Sequence, residues 1–234
     1  MKRCVCALVS GGLDSCVMLA SLAQQYRKVY PVFIRQGLIW ETAEYRALRN
    51  YLRTARIRHQ PLTVLDLPSN DVYGEHWSTT GRNVPGARTA DAAVYLPGRN
   101  LLLLSKAAVF CALRRIDAIA VGSLRRNPFS DATQQFYREF AAAAGCALNT
   151  SIKIVTPFRS LSKEAVVRRG QRLGLPLHLS FSCISPRRRL HCGRCNKCAE
   201  RQKAFRIAAI RDRTRYARGP THGNRQSAMS GRLI

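Results

Sequence analysis

Acidic residues are scarce in this chain. Against 39 lysines and arginines stand 13 aspartates and glutamates, a net charge of +26 over 234 residues and a pI near 10.9. Such a balance draws polyanions, so nucleic acid and phosphorylated ligands stay open as partners. Most of the basic residues are arginine, which a GC-rich coding sequence would also produce, so the charge decides nothing further. Long apolar runs are missing as well. No stretch approaches the roughly 20 residues of a membrane-spanning helix, and Leu101–Leu104 continues only into a mixed pattern. Lys2 and Arg3 precede a short apolar run that gives way to Ser-Gly-Gly-Leu-Asp-Ser, too soon for a cleavable leader. The expectation is a cytoplasmic protein with no membrane partner. Histidines are few, and His59, His76, His178, His191 and His222 show no paired spacing that makes a base or a ligand set. There is no internal repeat. With 46% hydrophobic residues the chain is globular, not disordered.

Cysteine is what the chain does have, nine in all, an odd number that argues against a closed disulfide framework. Cys4, Cys6, Cys16, Cys111 and Cys146 sit within apolar segments and read as small buried hydrophobes. Cys183, Cys192, Cys195 and Cys198 instead share a polar segment with the spacing x8, x2, x2. Four thiolates suit tetrahedral Zn²⁺, and two-residue spacers let neighbouring cysteines wrap one ion, with Gly193 supplying the turn. Arg187, Arg188, Arg189, Arg194 and Lys197 would balance the negative charge of such a centre. A closed ligand set predicts a structural metal. An iron–sulfur cluster is the rival reading, since Cys-x2-Cys-x2-Cys also suits it, and a disulfide pair is the bland one. His191, next to Cys192, is a spare ligand that four cysteines leave without a task.

Short apolar runs alternate with helical patterns along the chain. Strands are predicted at 3–9, 30–34, 62–67, 116–122 and 152–155, and helices at 14–23, 43–56, 101–113, 131–144 and from Ser162. That alternation predicts an α/β fold, a mainly parallel sheet with helices on both faces. Ligands of such sheets sit at the carboxyl ends of the strands, where the loops after Val9, Ile34, Leu67 and Gly122 converge. Residues 68–98, rich in Gly, Pro, Ser, Thr and Asn, read as a long functional loop. The divisions expected are an α/β domain over 1–178, a metal-binding segment with its helix over 179–210, and a flexible basic tail over 211–234.

One turn has a definite use. The first strand ends in Ser10-Gly11-Gly12-Leu13-Asp14-Ser15 and feeds straight into a helix. Gly11 and Gly12 let the backbone approach a phosphate with no Cβ in the way. The amides of the first helical turn favour an anion there, and Ser10 and Ser15 add hydroxyls. Asp14 would cap the helix or hold a Mg²⁺ that bridges to phosphate. No Gly-Lys-Ser/Thr follows, so this is not a Walker A loop. A plain strand-to-helix turn would use Gly-Gly too, but not this whole hexamer in this place.

The hexamer resembles the pyrophosphate-loop signature of the N-type ATP pyrophosphatases, whose fold is adenine nucleotide α-hydrolase-like. Together with the cysteine cluster it resembles, more narrowly, the 7-cyano-7-deazaguanine synthase family, called QueC or ExsB. The likeness also takes in Leu96-Pro97-Gly98-Arg99-Asn100, Ala120-Val121-Gly122, Pro157 with Leu161-Ser162-Lys163-Glu164, Ser182-Cys183 and Cys192-Gly193-Arg194-Cys195-Asn196-Lys197-Cys198. The resemblance implies a carbon–nitrogen ligase that adenylates 7-carboxy-7-deazaguanine with ATP and converts it with ammonia, through an amide, to the nitrile. It implies that Leu8, Val9 and Ser10–Ser15 hold ATP, Asp14 with Mg²⁺. Lys163 would neutralise the departing pyrophosphate, Arg99 would lie near phosphates or substrate, and the four cysteines would bind zinc. A homodimer is open.

Two segments depart from the family pattern. Ile34-Arg35-Gln36-Gly37 stands where a Tyr-Gly-Gln type segment is usual. Ser123-Leu124-Arg125-Arg126-Asn127-Pro128-Phe129-Ser130-Asp131 stands where an acidic, Tyr/Pro-containing substrate segment is usual. Asp131 is then the carboxylate left to read a guanine-like edge. Among bland readings, Asn100 and Ser162 serve as N-caps, and Trp40 and Trp77 pack rather than stack on a purine. Competing functions are a tRNA-modifying ATP pyrophosphatase, a paralogue that adenylates another carboxylate, and a non-catalytic zinc protein that binds nucleic acid. Thiolation would need a reactive cysteine by the loop, and Cys16 and Cys111 have no context for it.

Overall fold

A computed structural model describes residues 2–217. Five parallel strands stand in the order β3-β2-β1-β4-β5. They are β1 (Lys2–Leu8), β2 (Tyr26–Arg35), β3 (Thr63–Asp66), β4 (Ala118–Ala120) and β5 (Lys153–Val155). The crossovers carry α1 (Leu13–Gln25), α2 (Glu41–Thr54), α5 (Arg99–Leu113) and α6 (Gln134–Ala147), and α7 (Lys163–Arg172) follows β5. Strand order reverses between β1 and β4, so the crevice outside their carboxyl ends is where a ligand belongs.

Both faces of the sheet are covered, as near-continuous apolar strands require. Along β1, Val5 and Ala7 point into one core with Leu13, Val17 and Leu19 of α1 and Val166 and Val167 of α7. Cys6 points the other way, to Leu104, Ala107 and Cys111 of α5 and Tyr137 of α6. The last described helix, α8 (Asn196–Ala208), joins the first core through Ala204, Phe205 and Ala208. A third core gathers Leu38, Trp40, Val94, Leu96 and Phe181 around the four clustered cysteines. Trp40 and Trp77 stack on each other at 5.5 Å between centroids, so packing is their role.

The structure departs from the predicted elements in four places. Strand β2 begins at Tyr26, before the expected Tyr30, and it follows α1 with no intervening loop. Its first turn of sequence looked polar because Arg27 and Lys28 are exposed at the strand's outer end. Residues 68–98 are not featureless. They hold α3 (Asn70–Tyr73), α4 (Trp77–Thr80) and a 3₁₀ turn (Asp91–Val94), tied down by side chains such as His76, which accepts from Ser78 N. Of the apolar-segment cysteines, Cys6, Cys16 and Cys111 are buried and Cys4 half-buried, but Cys146 is exposed near the end of α6. The start of the expected tail is packed: Thr214 is buried, Tyr216 Oη donates to Asp212 Oδ2 at 2.6 Å, and Ala217 N donates to His191 O at 2.7 Å. The rest of that tail lies outside the described residues.

Candidate active site and metal centre

The glycine turn is built as its composition requires. Val9 N donates to Val32 O at 2.9 Å, which ends the pairing of β1 with β2. Gly11 then takes φ +82°, and a Cβ there would lie 2.9 Å from Glu44 O and 3.0 Å from Leu48 Cβ. Only glycine fits that position without strain. The two serines brace the loop from inside. Ser10 Oγ accepts from Gly12 N at 3.1 Å, and Ser15 Oγ accepts from Ser10 N at 3.2 Å while donating to Gly12 O at 3.1 Å. Gly12, not Asp14, is the N-cap of α1. Leu13 turns into the core, 1% exposed, and its side chain takes no part in the loop's open face.

Asp14 is tied to a lysine from far along the chain. Lys163 Nζ donates to Asp14 Oδ2 at 2.6 Å and lies 3.6 Å from Glu200 Oε2, which also meets Lys197 Nζ at 3.1 Å. Asp14, Lys163, Glu200 and Lys197 thus form one charged row from the loop to α8. Burial works against charge on Lys163, but Asp14 and Glu200 together overcome it and raise its pKa above the usual lysine value. The Glu200 carboxyl feels burial first and the two lysines in opposition, and ends at about 2. Asp14 Oδ1 is buried with no hydrogen-bond partner. That free oxygen fits Asp14 to hold a divalent cation, since an anionic oxygen with no donor is costly unless something positive meets it.

Arg99 comes to the same place from the start of α5. Its Nε donates to Gln36 Oε1 at 2.9 Å, and Gln36 is wholly buried in the turn after β2. The Pro97-Gly98 turn aims it there: Gly98 is the N-cap with φ +70°. Asn100 is therefore not the cap. It binds Asp131 instead, its N donating to Oδ2 at 2.9 Å and its Nδ2 to Oδ1 at 3.2 Å. Asp131 is 7% exposed and spent on this lock, so it does not read a substrate. The carboxylate beside the loop is Glu44, on α2. Burial pushes its carboxyl up to about 8, against the pull of Arg99, with Glu41 adding to the rise and the Ser10 hydroxyl opposing it.

Two cavities open from these residues. The smaller, about 240 Å³, is bordered by Leu8, Val9, Ser10, Asp14, Ser15, Glu44 and Arg99, with apolar walls from β2 and α5. The larger, about 560 Å³, lies between the loop after β4 and α8, and takes in Lys163, Arg125, Arg126 and Lys197. They share Asp14, Gly122 and Asn127. The structure thus brings Ser10, Asp14, Ser15 and Arg99 into one hollow and sets Lys163 at the threshold of the next.

The four cysteines close a centre behind the larger cavity. All are buried, and their sulfurs lie within 4.8 Å of one another. Cys183 and Cys195 are 3.9 Å apart, as are Cys192 and Cys198. Metal–sulfur bonds of about 2.3 Å in a tetrahedron place sulfurs about 3.8 Å apart, so the set fits a single ion. A multi-iron cluster would hold its thiolates farther apart than this. Backbone amides of Cys192 and Cys195 point at Cys183 Sγ and Cys192 Sγ, both at 3.2 Å, which stabilises thiolates. His191 is no ligand. Its Nε2 accepts from Ser182 N at 3.1 Å, and burial pushes its pKa down to about 3. The ring packs on Phe181 and Tyr216. The centre is joined to the loop directly, because Phe181 N donates to Gly11 O at 2.7 Å.

The family model described as queuosine biosynthesis protein QueC matches residues 3–209. The chain belongs to the QueC family. Its relatives include a 7-cyano-7-deazaguanine synthase of Methanothermobacter thermautotrophicus, 28% identical over 90% of this chain and 97% of that protein. Another is 7-cyano-7-deazaguanine synthase 1 of Desulfitobacterium hafniense, 31% identical over 88% and 93%. Among solved structures, the U34-tRNA thiolase NcsA of Methanococcus maripaludis gives a TM-score of 0.48 at 15% identity, over 88% of this chain and 65% of that one.

Several residues of this QueC-family site have no signal in the sequence. Glu44 and Glu200 sit on helices among other charges, indistinguishable from solvated ones. Arg201 is wholly buried, donating to Thr214 Oγ1, Ser180 Oγ and Leu177 O at 3.0, 2.9 and 2.7 Å. It locks α8 and the 211–217 segment together behind the metal centre, and nothing in a basic chain singles it out. No helix among the described residues is long and apolar enough to cross a membrane.

Proposed function

We propose that this enzyme converts 7-carboxy-7-deazaguanine, ATP and ammonia to 7-cyano-7-deazaguanine in the cytoplasm. The reading rests on one arrangement: the Ser10–Ser15 loop, Arg99 and Lys163 border two cavities that meet at Asp14. Ammonia cannot displace oxide from a carboxylate, so the oxygen has to be made into a leaving group. The substrate carboxylate attacks the α-phosphate of ATP and pyrophosphate leaves, giving an acyl-adenylate. Ammonia adds to its carbonyl, a proton is lost and AMP departs, leaving the amide. The amide oxygen then attacks the α-phosphate of a second ATP, releasing pyrophosphate and one N–H proton, and loss of AMP with the remaining N–H proton gives the nitrile. ATP's base and ribose suit the smaller, half-apolar cavity, with its phosphates at the amino end of α1. The carboxylate substrate suits the larger.

Each charged residue has a task in this scheme. Asp14 would hold a Mg²⁺ with its unpartnered oxygen, and such an ion would supply positive charge against the phosphates. Lys163 leaves Asp14 to meet the pyrophosphate as charge builds on it, with Glu200 keeping the ammonium in reach. Arg99, fixed by Gln36, faces the phosphates. The charge of Arg99, already in place, costs no reorganisation when the transition state forms. The four thiolates would hold Zn²⁺, which would keep the wall of the larger cavity in shape. The test is to incubate the purified protein with ATP, ammonium and 7-carboxy-7-deazaguanine and to follow AMP and the nitrile by mass spectrometry. AMP without nitrile keeps the activation chemistry and refutes the substrate. No AMP with metal-loaded protein refutes the enzyme reading.

A further inference from the structure

Acids are rare in this chain, yet five of its 13 line the two joined cavities: Asp14, Glu44, Asp91, Glu164 and Glu200. Concentrating carboxylates in the cleft of a protein with net charge +26 calls for cations or N–H donors in that cleft. Four of the five are already engaged. Asp14 and Glu200 hold Lys163, Glu44 lies at Ser10 and Arg99, and Glu164 is bound by Ser162 and its own amide. Asp91 is the remaining one. It is exposed on the wall of the larger cavity, and no lysine or arginine of the described residues pairs with it.

Its position is set by the metal centre. Asn196 follows the ligand Cys195 and is 4% exposed. Its N donates to Pro85 O at 2.9 Å, its Nδ2 donates to Thr89 O at 2.9 Å, and Nδ2 lies 3.5 Å from Asp91 Oδ1. Gly86 also bridges to Cys195. Asn196 Oδ1 is buried without a partner, so the amide is turned by what its nitrogen holds. The segment from 85 to 91 is thus clipped to the cysteine knuckle, and Asp91 is presented to the cavity at a fixed place.

We propose that Asp91 is the specificity-determining residue that reads the substrate heterocycle, accepting from an adjacent ring N–H and exocyclic amine, with Asn196 as its positioning residue. The inference rests on the reaction proposed above and names the group that recognises its substrate. A carboxylate has two oxygens at the spacing of such a donor pair, and it rejects a heterocycle that lacks one of the donors.

The test compares 7-carboxy-7-deazaguanine with the same carboxylate lacking its 2-amino group, in the wild type, Asp91→Asn and Asn196→Ala, each with its metal content and its KM for ATP measured. The wild type should prefer the amino compound. Asp91→Asn should raise KM for that compound by roughly 10- to 100-fold, leave the other nearly unmoved, and change neither metal content nor KM for ATP. Asn196→Ala should move the same preference by less. An Asp91→Asn enzyme that keeps the full preference overturns the proposal. If the wild type forms no AMP with either compound, the reaction reading fails first. Calorimetric titration of the amino compound then still decides Asp91, since equal affinity for wild type and Asp91→Asn overturns it.

Discussion

Removing Lys163 should destabilise the protein more than removing Asp14, although the two form one ion pair. Lys163 Nζ is 2.6 Å from Asp14 and 3.6 Å from Glu200. In Asp14→Asn the lysine keeps Glu200, and the amide still occupies the site. In Lys163→Met, Asp14 has no salt-bridge partner among the described residues, and Glu200 falls back on Lys197 at 3.1 Å. The side chains of Lys163 and Asp14 are 16% and 24% exposed, so solvent screens the row only in part. The cost lies between that of surface pairs and that of buried pairs broken on one side. That gives about 1–2 kcal/mol for Asp14→Asn and about 2–4 kcal/mol for Lys163→Met. Urea unfolding at neutral pH and low salt measures both, with metal content checked first. Activity sorts differently. Both variants should lose AMP formation by about 100-fold or more, because in the proposed scheme Lys163 meets the pyrophosphate and Asp14 holds the cation. A Lys163→Met protein as stable as Asp14→Asn, or one that still forms AMP at the wild-type rate, would refute this account of the charged row.

Cys195→Ser should lower bound metal from one ion per chain towards none and broaden thermal unfolding; unchanged metal by atomic absorption contradicts the four-thiolate centre. A chelator should likewise lower Tm, with Zn²⁺ restoring it. Gly11→Ala should cost about 1–3 kcal/mol and raise KM for ATP, since φ is +82° and the new Cβ would meet Glu44 O at 2.9 Å; Gly86→Ala, with open space around it, is the control. The Glu44 carboxyl, raised to about 8, binds a proton in the folded state that the unfolded chain releases near pH 4.5. Its contribution to stability therefore declines as pH rises from 4.5 through 8, and KM for ATP should rise above pH 8 as a charge forms beside the phosphates. Glu44→Gln should flatten that limb of the KM profile; an unaltered profile removes Glu44 from it.

Features fixed by short stretches of sequence were legible, and those made by distant pairs were not. The Ser10–Ser15 turn and the four cysteines each act through their own backbone, so spacing alone reveals them. The parallel sheet shows through because β1 and β4 are apolar on both faces. Strand β2 hid its beginning because Arg27 and Lys28 point outward at its free end. Asp131 looked like a substrate reader since sequence cannot show that Asn100, 31 residues away, takes up both of its oxygens. Glu44, Glu200 and Arg201 were hidden by their context: one more charge on a charged helix is ordinary until another element covers it. The 211–217 segment has little apolar content, and it is held by Arg201, His191 and its own Tyr216–Asp212 bond.

The bond between Lys163 and Asp14 spans 149 residues, and this has a consequence for the protein while it is being made. Asp14 leaves the ribosome well before its lysine, and Glu200 and Cys198 come later still. At roughly 5–20 residues per second, the Ser10–Ser15 turn waits while the 149 residues to Lys163 are made, and longer for Phe181, which holds Gly11. A product cut short before Lys163 therefore carries the glycine turn without its lysine, and the charged row closes only once Glu200 has been made.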